Sequence, residues 1–236
     1  MSTPLLKVTH LDSWYGESHI LHGVNFEIHE GELVTLLGRN GAGRSTTIKS
    51  ILGLTGRRTG SVQIDGVETI GMQTNQVARL GLGYCPEERG IFASLSCEEN
   101  LLLPPPVGAL GGGMSLAEIY EMFPNLLERR NSPGTRLSGG EQQMLAVARI
   151  LRTGANLLLL DEISEGLAPV IVQALGRMIK MLKSKGYTIV MVEQNFRFAA
   201  PLADRFYVVE HGQIVEHFDA AELPSKQAVL TELLGV

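Results

Sequence analysis

The sequence predicts an α/β protein: a parallel sheet carrying a glycine loop, preceded by an antiparallel β portion and interrupted by a helical insertion. Three observations predict it. The run "ELVTLLG" is apolar throughout and ends in glycine, as a strand buried on both faces does. Two further runs of that kind, "NLLLLDE" and "TIVMVEQ", flank a helical stretch, and strand–helix–strand implies parallel pairing. Ahead of the first run, apolar and polar residues alternate between turn signals, the pattern of half-buried antiparallel strands.

The elements follow in order. "LLKVTHLDSWYG" and "VNFEIHEGE" read as strands, and "SVQIDGVET" as a hairpin turning at Asp65-Gly66. After the glycine loop, Ile48, Ile51 and Leu52 fall at helical spacing. Strand, glycine loop and helix is the order a phosphate loop requires. From about Glu87 the texture changes. Ser96 and Glu99 stand at capping-box spacing, then come a triple proline and a triple glycine, then the helical "SLAEIYEMFPNLLERR". The Pro/Gly interruption reads as an exposed loop inside a helical insertion, and no heptads are sustained that would make it a coiled coil. Ser138 and Glu141 repeat the capping-box spacing ahead of a stripe of Met144, Val147, Ala148 and Leu151. Pro169 opens the next helix, with Ile171, Leu175, Met178 and Leu182 on one side and lysines before Gly186. "YVVEHGQIVEHF" closes with a hairpin at His211-Gly212. The expected organisation is one domain over residues 1–236, with its core in 1–86 and 155–236 and a helical subdomain in 87–154.

Composition sets the bounds. The 236 residues can bury a full core, and 44% apolar with 19% charged residues is an ordinary globular balance. A net charge of −5 gives phosphate backbones nothing to attract them, so no nucleic-acid partner is expected. Two cysteines, Cys85 and Cys97, form no CxxC pair and are expected to be reduced and packed. The six histidines show no metal-binding spacing. The N-terminus lacks a basic-then-apolar signal pattern, and no apolar run reaches the roughly 20 residues of a membrane helix. The expectation is a soluble intracellular protein that another chain brings to any membrane it serves.

In "LLGRNGAGRSTTIKS", Gly38 and Gly43 have phosphate-loop spacing, but Arg44 stands where lysine is usual. Glycines let the backbone curl until its N–H groups point inward, and the following helix adds its positive end. Gly38, Arg39, Asn40, Gly41, Ala42, Gly43, Arg44, Ser45 and Thr46 are the candidate phosphate-binding residues, with Ser45 offering a hydroxyl to Mg²⁺. Arginine keeps the charge and adds donors but is bulkier and planar. "NLLLLDE" puts Asp161 and Glu162 at the carboxyl edge of the parallel sheet, where α/β sites lie. Asp161 is the candidate holder of Mg²⁺ through water, and Glu162 the candidate general base. "LSGGEQQ" gives a second anion-binding helix start at Ser138, Gly139 and Gly140. Two such starts make sense if two copies face each other, each closing over the other's nucleotide.

These motifs, in this order, resemble the ATP-binding cassette (ABC) ATPases, whose signature is LSGGQ, over nearly the whole chain. The resemblance implies a RecA-like core, ATP and Mg²⁺ as cofactors, and ATPase activity. It makes Tyr15 the aromatic that stacks on adenine, with a core tyrosine as the alternative, and sets Glu87 of "CPEER" where a glutamine usually touches Mg²⁺ and the permease. Gln194 of "VEQN" stands in place of the switch histidine; it cannot shuttle a proton but can donate an N–H to a γ-phosphate oxygen. Glu87 and Gln194 are the usual letters in the smaller ATPase of branched-chain amino-acid, amide and urea importers, a branch this set resembles, leaving Arg44, Ile163 and Cys85 unusual. That branch implies pairing with an identical or paralogous ATPase subunit and two transmembrane permease subunits. A solute-binding protein would act indirectly, and the chain would lie on the inner face of the cell membrane. Two other readings are open: a nucleotide-binding regulatory subunit with little hydrolysis, suggested by Arg44, and a non-transport ABC ATPase acting on DNA or ribosomes.

Overall fold

The computed structural model describes residues 3–107 and 112–235. The chain opens with β1 (Leu6–Tyr15), β2 (Ser18–Ile28), β3 (Leu33–Leu37), α1 (Arg44–Ile51), β4 (Arg57–Ile64) and β5 (Val67–Glu68). Next come α2 (Thr74–Ala78), β6 (Leu82–Cys85), α3 (Cys97–Leu102), α4 (Leu116–Met122), α5 (Pro124–Glu128) and α6 (Gly139–Thr153). The last part holds β7 (Leu157–Asp161), α7 (Pro169–Ser184), β8 (Thr188–Glu193), α8 (Phe196–Ala199), β9 (Arg205–Glu210), β10 (Gln213–Asp219) and α9 (Leu223–Leu234).

Two sheets form. The larger runs β10-β9-β3-β8-β7-β6, parallel except for the β9–β10 hairpin, and the smaller is antiparallel in the order β2-β1-β4-β5. Every residue of β3, β7 and β8 is buried because each strand faces apolar layers on both sides. Leu33 and Leu37, Leu158 and Leu160, and Ile189 and Met191 join a core shared with α6 and α7. Val34 and Leu36, Leu157 and Leu159, and Val190 and Val192 join the core under α1 and the antiparallel sheet. Continuous apolar runs therefore mark the strands of the parallel sheet. Both expected hairpins form, with Asp65-Gly66 and His211-Gly212 in left-handed conformation, the backbone of a two-residue turn.

The segment between β6 and β7 is helical in its described part. The capping boxes at Ser96–Glu99 and Ser138–Glu141 are formed, and Ser115–Glu118 makes a third. Leu101, Ile119, Phe123 and Leu126 belong to the same buried core as the parallel sheet. Pro104, Pro105 and Pro106 lie in a loop as expected, whereas residues 108–111, including one of the three glycines, fall outside the described residues. The exposed-loop expectation needs one correction at its far end. Val107 N–H donates to Thr153 O at 2.7 Å and Met114 N–H to Leu151 O at 3.0 Å, so Val107 and Met114 are both pinned to the end of α6. Gly113 permits this approach, since a Cβ there would lie 2.1 Å from Leu151 O. Among the described residues no helix is long and apolar enough to cross a membrane.

Candidate active site

β3 ends in the middle of the parallel sheet, and the glycine loop carries the chain from its carboxyl edge into α1. A Cβ at Gly38 would meet Val209 O at 2.5 Å, so only glycine lets the loop lie this close to β9. Gly41 and Gly43 are left-handed, at φ 80° and 107°. Gly43 caps α1 without a side-chain hydrogen bond, and no acid stands in the first turn. The helix therefore offers its first amides and its positive end to an anion. Gly212 N–H donates to Ala42 O at 2.8 Å, and the exposed Arg39 donates to Glu232 O at 3.1 Å, which tie the loop to the β9–β10 turn and to α9.

Arg44 is 3% exposed, and its Nη2 donates to Glu162 Oε1 at 2.6 Å and to Asn40 Oδ1 at 3.1 Å. Its Nη1 is buried with no partner. An orphaned guanidinium donor beside a glycine loop fits a phosphate oxygen, because leaving such a donor buried and unmet is costly. One arm of the atypical cation is thus held by the protein's own acid, and the other remains for a ligand.

Asp161 closes β7 and accepts hydrogen bonds from Ser45 Oγ at 2.8 Å and Tyr84 OH at 3.2 Å. Burial raises its carboxyl, while those two hydroxyls, Lys49 and Arg44 act in the opposite sense. Glu162 follows in a left-handed conformation, φ 47°, its N–H donating to Val192 O at 2.9 Å. Burial pushes its carboxyl up to about 7, the neighbouring Glu165 adds to this, and Arg44 offsets part of it. A carboxyl poised there suits a general base. Glu87 is exposed on the loop after β6, and partial burial followed by the charges of Glu165, Glu88 and Asp161 raises its carboxyl. Among the described residues no three His, Cys, Asp or Glu side chains are placed to hold a metal by themselves. Mg²⁺ does not need them, since it commonly takes one or two carboxylates, waters and substrate phosphates. Ser45 and Asp161, already in contact, fit that chemistry.

Arg44, Ser45, Asp161 and Glu162 thus form one hydrogen-bonded constellation, and Thr46 sits half-buried beside them on α1. Gln194 lies one residue beyond β8, exposed, and shares with Glu162 the edge of a 1260 Å³ groove that runs along α7 to Arg177 and Lys180. Tyr15 closes β1 beside the left-handed Gly16, and the residue is 45% exposed and outside the buried core. Ser138, Gly139 and Gly140 start α6 outside the constellation; Ser138 Oγ accepts from Glu141 N–H at 3.3 Å and Ser138 N–H donates to Glu141 Oε2 at 2.7 Å. Sequence reasoning missed Tyr84, Glu165, Ser164 and Glu193. For Glu193 a signal existed: like Asp161, it is an acid directly after four apolar residues, here Ile189 to Val192.

A glycine loop on a parallel sheet, a buried cation at its helix start and two acids on a nearby strand end define a nucleoside-triphosphate hydrolase of the phosphate-loop class. The family described as ABC transporter matches residues 21–165. The high-affinity branched-chain amino acid transport ATP-binding protein BraG of Pseudomonas aeruginosa is 39% identical over 239 residues, spanning 98% of this chain and 100% of BraG. The lipopolysaccharide export system ATP-binding protein LptB of Escherichia coli is 30% identical over 236 residues, spanning 98% and 97%. A solved dimeric, post-hydrolysis ATP-binding cassette bound to ADP and Pi matches at a TM-score of 0.76 and 25% identity, over 91% of this chain and 98% of that one. The chain belongs to the ABC transporter family and is one of its ATPases.

Proposed function

We propose that this chain is the ATP-hydrolysing subunit of an importer for branched-chain amino acids or a related small polar solute. The observation that carries the ATPase site is the convergence of Arg44 and Ser45 on Glu162 and Asp161, at 2.6 and 2.8 Å. The solute rests on the likeness to BraG, at 39% identity over the whole of that protein. Two chains, identical or paralogous, pair so that Ser138 and Gly140 of one complete the site built by Gly38–Thr46, Asp161, Glu162 and Gln194 of the other. Two permease subunits take up the motion near Glu87 at the inner face of the membrane.

The loop amides and Arg44 Nη1 bind the phosphates, and the exposed face of Tyr15 stacks on adenine. Ser45 and Asp161, with Glu87 nearby, would hold Mg²⁺, which supplies charge neutralisation on the phosphates when bound. Glu162 orients the attacking water and accepts its proton. Gln194 donates an N–H to a γ-phosphate oxygen and so positions the group without taking a proton. Positioning and charge stabilisation are most of what phosphoryl transfer asks of a protein.

Glu162→Gln should lower steady-state ATP hydrolysis by about 10²-fold or more while leaving ATP-dependent pairing detectable by sedimentation. Wild-type turnover in that variant would remove the assigned base. The Arg44–Glu162 ion pair favours a second reading, a nucleotide-binding subunit that turns over slowly. A large gain of hydrolysis in Arg44→Lys over the wild type would support it; wild-type hydrolysis as fast as that of Arg44→Lys would exclude it.

A further inference from the structure

The carboxylate of Glu193 ends β8 immediately before Gln194 and is 1% exposed. Its Oε1 accepts the Ser164 N–H at 3.1 Å and its Oε2 accepts the Ser164 hydroxyl at 2.8 Å, while the nearby Asn195 N–H also favours the ionised form. Ser164, 5% exposed, lies two residues after Glu162, and Asn195 one residue after Gln194. One buried side chain therefore holds the loop leaving β7 and the loop leaving β8 at the same point. The backbone supplies a second tie, Glu162 N–H to Val192 O at 2.9 Å.

We propose that Glu193 is a positioning residue for hydrolysis: its carboxylate staples the Glu162 loop to the Gln194 loop and sets the separation of the two groups that face the γ-phosphate. This rests on the roles given above to Glu162 and Gln194. Packing alone does not ask for a carboxylate here, because burying an acid is unfavourable unless its lone pairs are met. Burial pushes Glu193 up to about 7 in spite of its donors, so the site keeps an acid against its desolvation cost. A carboxylate is the compact group able to accept from Ser164 N–H and Ser164 Oγ–H together, with one oxygen for each. Held in this way, Glu162 and Gln194 move as one body, and reaction geometry is sensitive to displacements of about 1 Å.

The test compares Glu193→Ala, Glu193→Gln and Ser164→Ala in the full chain by steady-state ATPase and by amide hydrogen exchange of the nucleotide-free protein. Glu193→Ala should lower kcat about tenfold to a hundredfold while KM for ATP changes less than about threefold, since the phosphate loop is untouched. Glu193→Gln should recover most of the loss, because its amide oxygen still accepts from N–H donors and its amide nitrogen can donate to Ser164 Oγ. Ser164→Ala, which keeps the carboxylate and the Asn195 contact, should fall between them. Exchange at the Ser164 and Asn195 amides should accelerate together in Glu193→Ala and not at the amides of α1. Unchanged kcat in a folded Glu193→Ala, or in Ser164→Ala should the first variant fail to fold, overturns the proposal, as does a loss confined to KM. If the wild type hydrolyses no ATP, the functional reading fails instead, and the exchange experiment still reports on the staple.

Discussion

The two glycine-marked helix starts obey the same electrostatics and are dressed in opposite ways. α1 begins with Gly43, at φ 107°, with no side-chain cap and no acid in its first turn. α6 begins with Ser138, whose hydroxyl accepts the Glu141 N–H while Glu141 returns to the Ser138 N–H, and so carries a carboxylate in its first turn. The first start leaves donors open and needs an anion to complete it. The second is satisfied by its own side chains and stands stable without a ligand. Under the proposed pairing, a helix start that serves a neighbour's nucleotide has to survive while that neighbour is away, and the capping box would supply this.

Substitution at the glycines is expected to separate the two starts most widely. Gly38→Ala drives a Cβ to 2.5 Å from the Val209 carbonyl, which is backbone and cannot swing aside. It should destabilise the fold by about 1–3 kcal/mol and abolish binding of a fluorescent ATP analogue by the isolated chain. Gly139→Ala meets only the far end of Arg89, at 3.3 Å, and should bind nucleotide as the wild type does. Equal losses in the two variants would erase the contrast.

The next largest effect is expected in the pH–rate profile. Glu162 must be ionised to accept a proton, so hydrolysis should fall as pH drops through about 7. Glu165 raises that carboxyl, and Glu165→Gln should move the acid limb to lower pH. A smaller effect belongs to the α6 cap: Ser138→Ala should reduce stability by about 1 kcal/mol in urea denaturation, a loss for which α1 has no side-chain counterpart.

The smallest effect is a slope. Glu193 is raised from 4.5 to about 7 by burial, so its contribution to stability is fully present below pH 4.5 and is lost as pH rises through 7. Glu193→Gln lacks that titration. The thermal midpoint of the wild type minus that of the variant should therefore decline across this window.

Local features were legible in the sequence because local rules govern them. Both two-residue hairpins, the Ser96 and Ser138 capping boxes and the continuous apolar strands rest on patterns a few residues long. The phosphate loop and the acidic strand end were legible for the same reason. The Arg44–Glu162 pair, 118 residues apart, was not, because it depends on where β3 and β7 lie in a sheet whose order does not follow the chain. Tyr84 on Asp161 and Ser164 on Glu193 are the same kind of contact, spanning 77 and 29 residues. The pinned Gly113 escaped for a different reason: glycine reads equally as freedom or as a close approach, and only the neighbouring Leu151 carbonyl distinguishes them.

Glu162 carries its carboxylate on a backbone that most side chains avoid, at φ 47°. Holding such a conformation costs about 1–2 kcal/mol for residues other than glycine and asparagine. A saturation scan at this one position should consequently give two rankings that disagree. Glycine and asparagine would head the list for soluble yield and sit near the bottom for turnover, while glutamate would lead only where catalysis is scored.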